Sequence, residues 1–155
     1  MENPFMTRAI QLSIENARSG RGGPFGAVVV KNSKVISEGM NRVASTNDPT
    51  AHAEVLAIRE ACTRLSAFSL EGCEIYSSCE PCPMCLAAIY WARISQVYFA
   101  SSAADASTAG FDDSEVYREL SLTHSDRKIP MIQMMRDQAL KAFQTWQNNP
   151  NKIAY

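Results

Sequence analysis

In the first twenty residues, apolar side chains at Phe5, Ala9 and Leu12 fall on one face of a helix, with charged residues between them. Asn3 can cap this helix, Pro4 suits its first turn, and Gly20 with Gly22–Gly23 ends it. The pattern then changes period. "FGAVVVK" (25–31) and "KVISEG" (34–39) are rich in β-branched residues and flank Asn32–Ser33, which predicts a hairpin. A second helix is predicted over "NDPTAHAEVLAIREACTRL", starting near Asp48, with Ala51, Val55, Ile58, Cys62 and Leu65 as its buried stripe. "CEIYSSC" (73–79) reads as a strand, and Pro81 and Pro83 flank the opening of a helix through "MCLAAIYWAR". "QVYFAS" (96–101) is another strand, 112–120 a helix, "IPMIQMM" (129–135) a last strand, and "DQALKAFQTWQ" a last helix before the tail "NNPNKIAY". Strand–helix–strand crossovers in the second half require parallel pairing, whereas the hairpin is antiparallel. The expected architecture is therefore α/β, a mixed sheet with helices on both faces.

Composition narrows this little and excludes more. The chain has 155 residues, 46% hydrophobic and 20% charged, which fits one globular domain over 1–155, with 147–155 as a tail. The net charge is −1, so no global field draws the chain to polyanions, and only a local basic patch could bind nucleic acid. No apolar stretch has the length of a signal peptide or a membrane span. Five cysteines, an odd number without an export signal, are expected as reduced thiols or metal ligands in the cytoplasm.

The chemistry concentrates in "TAHAEV" (50–55) and "SSCEPCPMC" (77–85). Cys82 and Cys85 open a helix, where the N-terminal dipole stabilises thiolates and the spacing puts both sulfurs on one side. His52 lies near the start of another helix. One nitrogen and two sulfurs suit Zn2+, and three protein ligands leave its fourth position for water, whose pKa falls to about 7. Glu54, two residues from His52, can reach that water without ligating, and a hydrolytic site needs such a proton carrier.

Other readings stand beside this one. Cys79 could close a four-ligand structural zinc site, giving an interaction module without activity, but Glu54 would then have no purpose. Cys82 and Cys85 could form a thiol redox pair, which would leave His52 and Glu54 unused. His124 reads as structural, and Cys62 and Cys73 as inert packing. "GRGGPFG" (20–26) lacks the Gly-Lys-Ser/Thr ending of a phosphate loop and reads as a turn into a strand.

His52-Ala53-Glu54 with Pro81-Cys82-Pro83-Met84-Cys85 resembles the H-x-E and P-C-x-x-C signature of zinc nucleobase deaminases. With "GGPFGAVVVK", "NDPTAHAEV", "AIYWAR", "AGFDDS" and the terminal "NKIAY", the chain resembles the cytidine-deaminase-like superfamily, and within it the bacterial guanine deaminases, along essentially its whole length. The resemblance implies a three-layer α/β/α sandwich with a mixed five-stranded sheet, a homodimer, and hydrolysis of guanine to xanthine and ammonia.

It implies His52, Cys82 and Cys85 as ligands of one zinc per subunit and Glu54 as the proton shuttle. Asn41 matches an amide that binds the purine, Phe25 and Trp91 match aromatic walls, and Ala53 joins the substrate contacts. Asp113, or Asp112 in the other register, matches a carboxylate on the base that can also carry the second proton. Tyr155 matches a tail residue that closes a pocket, its own or, with exchanged tails, that of the partner subunit. Ile153-Ala154 departs from the charged tail of the family. Phe25 fits core packing equally well. Another amino-heterocycle, guanosine or tRNA adenosine is the alternative substrate, and the last would call for a basic surface.

Overall fold

The computed structural model describes residues 2–155. The chain divides into two compact units, Met1–Asp113 and Ser114–Tyr155.

In the first unit, helix α1 (Pro4–Ser19) begins where Asn3 Oδ1 accepts the backbone N–H of Phe5 at 2.9 Å and of Met6 at 3.1 Å. It ends at Gly20, whose φ of 66° is the left-handed cap that glycine adopts without strain. Strands β1 (Gly26–Lys31) and β2 (Lys34–Met40) form the expected hairpin. Asn32 and Ser33 both have positive φ, the backbone of a two-residue turn that matches strand twist. Strand β1 also pairs antiparallel with β3 (Cys73–Cys79). Strand β3 pairs parallel with β4 (Gln96–Ser101) through the crossover helix α4 (Pro83–Trp91). The sheet order is β2-β1-β3-β4.

Alternation along the strands builds two cores. Ala27, Val29 and Ile75 face helix α3 (Ala53–Leu65) and Ile89 of α4, while Val28, Val30 and Tyr76 face Ala9 and Leu12 of α1. Helices thus cover both faces of a mixed sheet, as the sequence predicts.

Helix α3 starts at Ala53, not near Asp48. The Asp48 carboxylate instead accepts the backbone N–H and the hydroxyl of Thr50, closing a turn after the short helix α2 (Val43–Thr46). Ala51, fully covered, belongs to that turn rather than to the helix. The deepest row on α3 is Ala53, Ala57 and Ala61, and Cys62 and Leu65 are only partly buried at its rim. Small residues are needed there because the helix backbone lies on β2. A Cβ at Gly39 would stand 2.1 Å from the carbonyl oxygen of Ala53.

The five-stranded expectation is corrected to four strands among the described residues. Residues 129–135 form no ladder, and Ile129, Ile132 and Met134 are exposed. A β-prone segment becomes a strand only where it finds a partner's N–H and C=O groups, and this one ends in Met135, whose left-handed backbone precedes the last helix. Helix α5 (Ala103–Thr108), absent from the sequence reading, starts with a reciprocal capping box between Ser102 and Asp105. The second unit holds α6 (Ser114–Ser121) and α7 (Arg136–Asn148), with Lys128 paired to Glu115. No helix among the described residues is long and apolar enough to cross a membrane.

Candidate active site

Two helix N-termini create the centre of the first unit. His52 is the N-cap residue of α3 and Cys82 that of α4, with Cys85 one turn further along α4. His52 Nδ1 lies 3.5 Å from the sulfur of Cys82 and 3.5 Å from that of Cys85. All three donor atoms fall within 4.8 Å of one another. A tetrahedral zinc with ordinary Zn–N and Zn–S bonds requires a nitrogen–sulfur edge of about 3.6 Å. The donors are therefore already spaced for the ion, and their chemistry, one imidazole and two thiols, suits zinc. Cys79 is not part of this group. Its thiol donates at 3.6 Å to the Ser102 carbonyl, and a fourth protein ligand is thus missing among the described residues.

The two cysteines split their proton. The hydrogen bond from Cys85 pulls the Cys82 thiol down to about 4, helped by His52, while the same interaction and burial push Cys85 up. His52 is raised, chiefly by its hydrogen bond with Cys82. The Cys82 thiolate also sits at the positive end of α4.

Glu54, on the first turn of α3, is only 6% exposed. Its Oε1 accepts the Ser77 hydroxyl at 2.9 Å and its Oε2 accepts the Cys85 thiol at 3.4 Å. Burial raises this carboxyl above the ordinary range, against hydrogen bonds that lower it. A carboxyl beside the ligand cluster is a group able to take up and release a proton. The sequence reading missed Ser77, although its alternation on β3 with Ile75 and Cys79 marked a polar side chain on a buried face.

The cluster opens into a cavity of about 670 Å³ in the same unit. The glycine-rich loop with Phe25, Asn41, Val43 and Ala44 of the following turn, His52, Glu54, Cys82 and the stretch Gly110–Asp113 line it. Asn41 Oδ1 accepts the backbone N–H of Gly23 and of Val43, each at 3.2 Å. Those two bonds engage the amide oxygen and fix which end of the amide is the NH2. Phe25 meets Phe111 edge-to-face at 4.9 Å, which gives the cavity an aromatic wall while Phe25 also packs on the core. Asp112 and Asp113 both reach the cavity, so the alternative register remains chemically available. Burial raises the carboxyl of Asp113.

Two expected contacts of the same unit do not line the cavity. Trp91 ends α4, while Cys82 caps its start; the nine residues of α4 span about 13 Å, and the indole is 70% exposed rather than lining the cavity. Ala53 is fully buried under β2 and does not line it. Tyr155 belongs to the second unit and is exposed. Phe111, Glu80 and Cys79 line the cavity without having been foreseen.

A mixed sheet between helices, carrying a His-Cys-Cys donor set and a buried glutamate at its helix N-termini, defines a zinc-binding hydrolytic deaminase. Residues 1–101 match the cytidine and deoxycytidylate deaminase zinc-binding region, and the chain belongs to that family. It is 52% identical to the guanine deaminase of Bacillus subtilis over 151 residues, 97% of each chain. The X-ray structure of that enzyme superposes with a TM-score of 0.96 at 51% identity, covering 100% of this chain and 99% of the other. A tRNA-specific adenosine deaminase of Aquifex aeolicus is 51% identical over only 78 residues, 50% of this chain and 52% of its own.

Proposed function

We propose that this chain hydrolyses guanine to xanthine and ammonia. The observation that carries the reading is the whole-length match to a guanine deaminase, in sequence and in structure, where similarity to the tRNA-specific enzyme covers half of the chain. The cavity agrees in its chemistry. No lysine or arginine is among its lining residues, which suits an uncharged base better than a phosphate.

His52, Cys82 and Cys85 would hold zinc, which would supply an acidified water for the attack. The Asn41 amide donates to an acceptor on the purine edge, and a carboxylate, Asp113 or Asp112, accepts from ring N–H groups. Phe25 and Phe111 cover a ring face. Glu54 takes the proton of the attacking water as the new C–O bond forms at C2 and passes it to a ring nitrogen. Ser77 keeps Glu54 aimed through these transfers. The second proton, taken from the new C2 hydroxyl and delivered by Glu54 or Asp113, converts the exocyclic amine into leaving ammonia as the C–N bond breaks and the C2 carbonyl forms, and the product is xanthine.

The proposal includes a homodimer whose 147–155 tail closes a cavity through Tyr155, and residence in the cytoplasm, in keeping with five free thiols. A panel of guanine, guanosine, adenine, cytidine and tRNA, read by ammonia release, tests the substrate. Turnover of guanine at least 100-fold above every other member is expected. Preference for tRNA or guanosine would overturn the assignment.

A further inference from the structure

A fully hydrogen-bonded asparagine lies behind the cavity wall, and no step of the chemistry above uses it. Asn16 sits in the last turn of α1, on the same buried face as Ala9 and Leu12, and is 1% exposed. Asparagine is a poor helix former, and burying its amide is costly unless every polar atom finds a partner. Here every polar atom does. Nδ2 donates to the carbonyl of Gly23 at 2.7 Å and to the carbonyl of Asn41 at 2.8 Å. Oδ1 accepts from Nη1 of Arg42.

These partners are the two segments that shape the ligand side of the cavity. Gly23 belongs to the loop leading into Phe25, and Asn41 lines the cavity. Asn41 Oδ1 returns to the Gly23 N–H and the Asn41 N–H donates to the Phe25 carbonyl at 3.2 Å, so the loop and the turn are joined directly by Asn41 and again through Asn16. The loop has no slack of its own against this clamp. A Cβ at Gly22 would lie 2.1 Å from the Asn41 carbonyl oxygen. The Arg42 guanidinium, which can only donate, fixes which end of the Asn16 amide faces the carbonyls.

We infer that Asn16 is a positioning residue: with Arg42 it clamps the Gly23 and Asn41 carbonyls and thereby sets the orientation of the Asn41 amide and of Phe25 for substrate binding. Accepting the guanine reading above, this adds a determinant of substrate affinity that lies outside the cavity and touches neither zinc ligand nor Glu54.

Asn16→Asp is the direct test. It keeps the shape and the acceptor for Arg42 but turns two donors toward two carbonyls into acceptors. The zinc-loaded variant should raise KM for guanine about tenfold and change kcat less than threefold. In an Asn41→Ala background the same substitution should add less than twofold, because its effect passes through Asn41. Arg42→Met, at a half-buried position beside the Met40 sulfur, serves if the aspartate variant does not fold, and should raise KM about threefold. Amide hydrogen exchange supplies a readout without turnover. The Gly23 and Val43 N–H groups should exchange at least tenfold faster in either variant, while the β1 and β3 amides keep their protection. Unchanged KM with unchanged exchange in a folded variant overturns the clamp, as do additive effects in the Asn41→Ala background. If the wild-type protein does not turn over guanine, the substrate reading fails, and the exchange experiment alone decides the clamp.

Discussion

Replacing Glu54 by glutamine tests the role of this carboxyl with a change of one atom type. The amide keeps an oxygen to accept the Ser77 hydroxyl, which now bonds Oε1 at 2.9 Å, and preserves the volume of a side chain that is 6% exposed. Burial already disfavours the charged carboxylate, so a neutral amide costs the fold little, and the melting temperature should stay within a few degrees of wild type. The three donor atoms are untouched, so zinc content should remain near one per chain. Proton transfer is different, because the amide neither takes nor returns a proton. General acid–base catalysis contributes about 10²–10⁴-fold per group, and here one residue serves at least one transfer in each direction. A fall in kcat of about 10⁴-fold is expected, equivalent to roughly 5 kcal/mol of barrier. Xanthine formation under saturating guanine, zinc by elemental analysis and thermal melting on one preparation give all three quantities. A zinc-loaded glutamine variant within tenfold of wild-type kcat would refute the assignment.

Other expectations follow from single contacts. Gly39→Ala drives a methyl into the Ala53 carbonyl, where a Cβ would lie at 2.1 Å; overpacking of this kind costs about 3 kcal/mol and should lower the melting temperature by roughly 6–12 °C. Cys79→Ser should keep zinc, because Cys79 bonds the Ser102 carbonyl rather than joining the donor group, whereas Cys85→Ser should lose it; equal zinc loss in both would restore the four-ligand site. Glu38 accepts two hydrogen bonds from Arg8, at 2.8 Å each, which hold its carboxyl below the ordinary value of 4.5. A depressed carboxyl stabilises the fold above its unfolded value and loses that contribution as pH falls through the folded one. The pair is partly exposed and contributes at most about 1 kcal/mol, so the urea-stability gap between wild type and Glu38→Gln should close between pH 5 and pH 3. A gap that widens on acidification would contradict it.

The sequence made some features legible and left others hidden, for physical reasons. Local signals survived: the Asn3 cap, the Gly20 stop, the Asn32–Ser33 turn and the strand bounds 73–79 and 96–101 need only neighbouring residues. The His52, Cys82 and Cys85 cluster was legible because helix N-termini constrain both geometry and charge. Residues 129–135 failed because strand formation depends on a partner that periodicity does not reveal. Trp91 lies outside the cavity lining of its own unit because a helix carries its end away from its cap, so nearness in sequence to a ligand is not nearness in space. Asn16 left a signal that went unread, a polar residue continuing the Phe5–Ala9–Leu12 face, where buried polarity points to a specific hydrogen-bond duty.

A metal held by His52, Cys82 and Cys85 is expected to make this chain a guanine hydrolase. The most direct measurement follows xanthine and ammonia from guanine in three samples: protein as purified, protein stripped by a chelator, and stripped protein given back one equivalent of Zn2+. Equimolar xanthine and ammonia in the first, loss in the second and recovery in the third are predicted. Guanine turnover that persists in fully metal-free protein would contradict the account, as would a zinc-loaded protein that leaves guanine intact.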